Sequence, residues 1–100
     1  MSSDTLNLIS DIIVEVCGLD RATLLPAVNA VDDLGIDSID FLDIIYEIQQ
    51  RLGIKVPVED WMEQINSGKA RTADYFVLAR LAERIDELVA LRAGTAQGAA

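Results

Sequence analysis

The run Asp33-Leu34-Gly35-Ile36-Asp37-Ser38-Ile39-Asp40-Phe41-Leu42-Asp43 constrains this chain more than any other stretch. Gly35 gives the backbone the freedom a tight turn needs, and Leu34 and Ile36 are apolar anchors for pinning that turn to a core. Ser38 follows where a helix would begin, with carboxylates at Asp37, Asp40 and Asp43 around it. The spacing predicts a helix from Ser38 to about Leu52, stopped by Gly53. At about 100° per residue, Phe41, Ile44, Ile45, Ile48 and Leu52 gather on one side as a core face. Asp40, Asp43 and Glu47 make an acidic stripe beside it. Ile39, Leu42 and Tyr46 fall on a third side, where a helix serving only as a bundle wall would be polar. That side suits either a partner's apolar dimple ringed by lysine and arginine, or contacts with the long connection and the later helices.

The charge is distributed unevenly. Of a formal −9, residues 1–50 hold ten acids against the single base Arg21, while residues 51–100 hold seven acids and seven bases. The acidity belongs to the half that contains Ser38. Such a field repels nucleic acid and anionic membrane surfaces and favours partners with basic patches. Solubility alone would also account for it, but its concentration around one serine favours recognition. No histidine is present, which removes the usual general base and the usual metal ligand. Cys17 is the only cysteine, so neither an internal disulfide nor a thiolate zinc site is possible. It reads as an inert core residue. No signal peptide and no apolar run of the ~20 residues needed to cross a bilayer is visible, so a cytoplasmic protein, without stable membrane insertion and monomeric, is expected.

One hundred residues allow one domain with a modest core. Ser3 or Asp4 starts a first helix that runs to about Val16 or Cys17 and carries Leu6, Ile9, Ile13 and Val16 on its apolar side. From Gly18 to Asp37 runs a connection of about twenty residues, long for a compact domain. Leu19, Leu24, Leu25, Val28, Val31, Leu34 and Ile36 should tack it across the helices, with one helical turn started by Asp20 or Thr23 and ended or bent by Pro26. After the extended Gly53–Pro57, a short helix is expected from Glu59 to about Ile65, with Trp61, Met62 and Ile65 apolar. Thr72 is the expected cap of a last helical stretch, striped by Tyr75, Leu78, Leu81, Ile85 and Leu88, with Arg80, Glu83, Arg84 and Glu87 on its solvated side. Residues 1–92 form the domain, and 93–100 have too little to bury and are expected to be a flexible tail.

The Asp33–Asp40 motif, followed by an acidic amphipathic helix, resembles the attachment motif of the acyl carrier protein family. Ile39 stands where leucine is more usual, a change that keeps size and apolarity. The resemblance implies an all-α fold: a four-helix bundle with a long first connection and an extra short helix after the second helix. The last stretch would divide into a short helix and a longer one, although no glycine or proline marks the break. The resemblance also implies that Ser38 bears a 4′-phosphopantetheine arm derived from coenzyme A, whose thiol holds an acyl group as a thioester. Trp61-Met-Glu-Gln-Ile-Asn-Ser-Gly-Lys69 and Asp74-Tyr-Phe-Val-Leu78 are similar to a subgroup that carries very-long-chain hydroxy-fatty acids for bacterial lipid A. As an ordinary structural insertion, Trp61 would simply fill a gap.

A carrier of this kind is not an enzyme. The resemblance implies as partners a phosphopantetheinyl transferase, fatty-acid elongation enzymes and an acyltransferase with basic docking patches, received by Ile39, Asp40, Leu42, Asp43, Tyr46 and Glu47. Placing Ser38 at a helix start favours a phosphate there. Asp37 would either cap the helix or engage the transferase and its metal. The core would shelter part of the acyl chain, worth about 0.8 kcal/mol per CH₂, and the distal part of a very long chain would protrude or be held by a partner enzyme. A general fatty-acid or polyketide carrier is the nearest alternative, and an unmodified acidic helical interaction module the more remote one.

Overall fold

In the computed structural model the backbone is described for residues 2–99 and the side chains for residues 4–92. The expected flexible tail, 93–100, lies outside the described side chains. Among the described residues there are five α-helices and one short 3₁₀ turn, in the order α1 (Ser2–Cys17), the turn Arg21–Thr23, α2 (Ser38–Leu52), α3 (Val58–Asn66), α4 (Thr72–Phe76) and α5 (Leu78–Ala99). The all-α expectation holds, and a short helix does follow α2.

α1 packs directly against both α2 and α5. It buries Ile9, Ile12 and Ile13, α2 contributes Phe41, Ile44, Ile45 and Ile48, and α5 contributes Leu78, Leu81, Ala82 and Ile85. These positions recur three or four residues apart, so each helix turns one continuous face inward. α1 is also tied at its surface, by Glu15 to Arg51 on α2 at 2.7 Å and by Asp11 to Arg21 of the 3₁₀ turn. Exposed pairs of this kind contribute little to stability, so the apolar faces decide the packing.

The long connection is ordered by its own polar contacts as much as by its apolar residues. Asp20 caps the 3₁₀ turn, its carboxylate accepting from the Ala22 N–H at 3.0 Å. Pro26 does not end that turn; it lies inside a second one, closed by Val28 N–H donating to the Leu25 carbonyl at 3.0 Å. Leu24 and Ile36 are buried, whereas Leu25 is 58% exposed and tacks nothing down. Asn29 is buried, and its side-chain carbonyl accepts from Val31 N–H and Asp32 N–H, both at 2.9 Å. Asp32 in turn accepts from the Thr72 hydroxyl at 2.6 Å.

This connection is what divides the last helical stretch. Ala30 N–H donates to the Phe76 carbonyl, Leu78 N–H to the Val28 carbonyl and Ala79 N–H to the Pro26 carbonyl, each at 2.9 Å. Val77 is thereby held extended, at φ −65° and ψ 128°, between α4 and α5. The first N–H groups of α5, which any helix leaves without partners of its own, are satisfied by carbonyls of the connection. The expected cap at Thr72 is displaced by one residue. Arg71 occupies the cap position, Thr72 is the first helical residue, and Asp74 accepts from the Arg71 N–H at 2.9 Å.

Candidate functional site

Ser38 is the first residue of α2 and is exposed. Three local features put it there. Gly35 adopts φ +69°, a left-handed conformation that other residues reach only with strain. Ile36, buried beside it, donates its N–H to the Ala30 carbonyl at 3.1 Å and fixes the turn to the core. Asp37 then caps the helix, its carboxylate accepting from the Asp40 N–H at 2.8 Å. At the far end Gly53, at φ +63°, terminates α2. The hydroxyl is thus delivered to solvent at the N-terminus of a 15-residue helix, where backbone N–H groups and the helix dipole favour a phosphate.

The third side of α2 is open. Ile39 is 71% exposed, Tyr46 58% and Leu42 46%. Ile39 and Tyr46 lie open to solvent, while Leu42, the least exposed of the three, faces α3. Asp43 is exposed and Asp40 and Glu47 are half-buried on the adjacent stripe. Glu47 also faces Arg51 across 3.7 Å. All six residues expected at a docking face lie on the helix that begins with Ser38, and the three apolar ones among them are exposed.

An open groove of about 600 Å³ begins at Ser38 and runs between α2 and α3. Leu42, Val58 and Met62 give it an apolar lining, and Glu59, Glu63 and Asn66 border it. Val58, Glu59, Met62, Glu63 and Asn66 join the site without any motif in the sequence to mark them as part of it. A signal was present: Trp61 and Met62 are adjacent apolar residues, and neighbours on a helix point about 100° apart. Trp61 faces the bundle and Met62 the groove.

Cys17, at the end of α1, is half-buried rather than a full core residue. Burial pushes its thiol above the ordinary value, and the carboxylates of Asp40, Asp37 and Asp43 add to the effect. The acidic end of α2 is therefore felt across the helix pair. Among the described residues no cluster of ligating side chains could hold a metal ion, and no helix is long and apolar enough to cross a membrane.

Residues 7–67, from α1 to just past α3, match the phosphopantetheine attachment site family. Over 92 residues the chain is 49% identical to the acyl carrier protein AcpXL of Brucella melitensis, a match covering 92% of this chain and 99% of that protein. The AcpXL of Rhizobium etli is 49% identical over 89 residues, or 89% of this chain and 97% of the relative. An acyl carrier protein of Syntrophobacter fumaroxidans matches less of the chain, with 36% identity over 52 residues, 52% of this chain and 64% of that protein. The chain belongs to the acyl carrier protein family, whose prosthetic group is covalent 4′-phosphopantetheine. The residues present fit that group, because an exposed hydroxyl at a helix N-terminus opens directly onto an apolar groove. When bound, the group supplies the thiol on which an acyl chain is held as a thioester.

Proposed function

We propose that the protein acts in the cytoplasm, that Ser38 is the attachment residue, and that the cargo is a very-long-chain hydroxy-fatty acid destined for lipid A. The observation that carries the attachment is the Ser38 hydroxyl itself, exposed at the start of α2 and at the mouth of the α2–α3 groove. The cargo rests on the AcpXL relatives, which match this chain through α4 and α5 as well, over 92% of its length.

The chain contains no histidine, and the nearest carboxylate in sequence, Asp37, is occupied in capping α2. A separate transferase therefore supplies the base and the magnesium ion. The Ser38 oxygen attacks the pyrophosphate of coenzyme A, a phosphodiester forms, the pyrophosphate P–O bond breaks and 3′,5′-ADP leaves. The serine proton passes to the transferase. Asp37 holds the helix start in place and presents its charge to the transferase. Ile39, Leu42 and Tyr46, flanked by Asp40, Asp43 and Glu47, receive that enzyme, the elongation enzymes and an acyltransferase through their basic patches.

Leu42, Val58 and Met62 shelter the proximal part of the acyl chain. α3 has nine residues and is about 14 Å long, so a very long chain outruns the groove and its distal part protrudes or is held by the partner enzyme. The test is intact-mass measurement after incubation with coenzyme A, magnesium and a broad-specificity phosphopantetheinyl transferase. One 4′-phosphopantetheinyl group is expected on the wild type and none on Ser38→Ala. A modified Ser38→Ala variant, or an unmodified but fully functional wild type, overturns the assignment.

A further inference from the structure

α3 borders the groove on one face and meets the rest of the molecule with the other. Val58, Met62 and Asn66, four residues apart, line the groove. On the opposite face Trp61 is buried and stacks on Tyr75 of α4, with ring centroids 5.0 Å apart and planes inclined by 20°. The Tyr75 hydroxyl donates to the Gln64 side-chain carbonyl at 2.8 Å, a second tie back to α3. Arg84 of α5 places its guanidinium 4.3 Å from the centre of the same Tyr75 ring, and its Nε donates to the Asp74 carbonyl at 2.9 Å. Tyr75 is thus held by α3, α4 and α5 together.

Two further facts make this more than packing. A nine-residue helix has little stability of its own, and Pro57 before it supplies no side-chain cap, so the position of α3 depends on these contacts and on Val58, Met62 and Ile65 against the core. A recess of about 140 Å³ lies behind the indole, bounded by Pro57, Trp61, Arg84, Glu87, Leu88 and Leu91, which leaves room for Trp61 to shift. Tyr75 itself cannot easily follow, because α4 is fastened to the connection by Thr72 to Asp32 and by Phe76 to Ala30. That connection also leads into Ser38. One wall of the groove and its mouth therefore share a fixed frame, and the other wall is held to it by the aromatic contact together with the half-buried Val58, Met62 and Ile65.

We propose that Trp61, Tyr75 and Arg84 form a latch that sets the width of the α2–α3 groove and hence the length of acyl chain it shelters. None of the three touches the reacting atoms; they are positioning residues. The inference rests on the reading that a chain borne by Ser38 enters this groove.

The test loads the holo protein with saturated acyl chains of increasing length and follows hydroxylamine cleavage of the thioester, with helix content checked by circular dichroism. In the wild type cleavage slows as the chain lengthens and levels off once the groove is full. In Trp61→Ala the levelling moves to a different length and cleavage of sheltered chains rises by roughly threefold to tenfold, the population shift expected from losing one aromatic pair. Trp61→Phe restores the wild-type profile, and Arg84→Met moves it in the same direction as Trp61→Ala by less. Because Trp61 is the only tryptophan, its emission reports the latch directly and should shift as longer chains are loaded. A folded Trp61→Ala protein with the wild-type length profile overturns the latch alone. Cleavage independent of length in the wild type overturns the sheltering reading and the latch with it, while esterification of Ser38 would still stand. If Trp61→Ala loses its helix content, Arg84→Met and Tyr75→Phe decide, since each removes one contact and keeps the stacked rings. Unchanged profiles in both overturn the proposal.

Discussion

α2 and α5 both pack on α1, yet they treat solvent differently. Among its described side chains α5 turns charge outward, with Arg80 and Glu83 3.3 Å apart on its surface, and the large apolar residues it exposes there, Val89 and Leu91, lie just past its midpoint. α2 exposes Ile39, Leu42 and Tyr46 within its first nine residues, beside Ser38. Fully burying side chains of this size would contribute about 1.5–3 kcal/mol each. α2 leaves part of that stabilisation unrealised at three neighbouring positions while Phe41, Ile44, Ile45 and Ile48 on its inward face are buried. The fold asks for one face of α2, and on the proposed function the other serves partners and, at Leu42, the acyl chain as well.

The sharpest way to break the comparison is to cut each face of α2 in turn. Phe41 is fully buried and packs edge-on against Phe76 at 4.6 Å. Phe41→Ala should cost about 3–5 kcal/mol in urea denaturation, whereas Tyr46→Ala should change stability by no more than about 0.5 kcal/mol. Tyr46→Ala should nonetheless slow acyl transfer by a partner enzyme. Equal stability losses in the two variants would make the outward face structural and end the distinction.

A smaller effect separates the two helices by charge. Asp43 of α2 and Glu83 of α5 are both exposed carboxylates. Asp43→Lys should lower kcat/KM for esterification of Ser38 roughly tenfold at low salt, with the deficit shrinking as salt screens it. Glu83→Lys should leave that rate near the wild-type value. Equal losses would mean that net charge, and not the acidic stripe of α2, draws the transferase.

Local regularity was legible in the sequence and non-local hydrogen bonding was not. The core face of α2 followed from apolar spacing, its end from Gly53, and the exposure of Ile39, Leu42 and Tyr46 from their place on the helical wheel. The break at Val77 carried no such mark, because its cause lies some fifty residues earlier, where Val28 and Ala30 take up the backbone groups of Leu78 and Phe76. Arg84 read as a solvated charge, but its partner ring belongs to a different helix. The groove was hidden for the same reason: Leu42 and Met62 face it from separate helices, and periodicity within either helix cannot pair them.

Asp37 refines the comparison at the helix start. Its carboxylate satisfies the Asp40 N–H at 2.8 Å, so Asp37→Ala should cost about 1 kcal/mol. Asp37→Asn keeps a side-chain oxygen in that place and should restore most of the stability. The rate of Ser38 esterification should remain low in both variants, since the amide no longer offers a charge to the transferase. Recovery of the full rate in Asp37→Asn would reduce Asp37 to a cap and leave recognition to the stripe further along α2.

The smallest expected effect lies where α1 meets the acidic end of α2. The Cys17 thiol is raised above its ordinary value, first by burial and then by Asp40, Asp37 and Asp43. A raised folded-state pKa means that the folded protein keeps this proton at a pH where the unfolded chain has lost it. The resulting stabilisation is fully present below the ordinary thiol pKa and is lost as pH rises through the folded value. The stability difference between wild type and Cys17→Ala should therefore be constant near neutrality and change only in alkaline solution, with the wild type losing ground. Alkylation by iodoacetamide should lag behind that of a free cysteine, because thiolate is the reacting form. Since burial is the larger cause, high salt should remove only a minor part of the lag, the part due to the three carboxylates. A lag abolished by salt would instead make the field of α2 dominant at Cys17, extending that helix's electrostatic reach further into the bundle than its geometry implies.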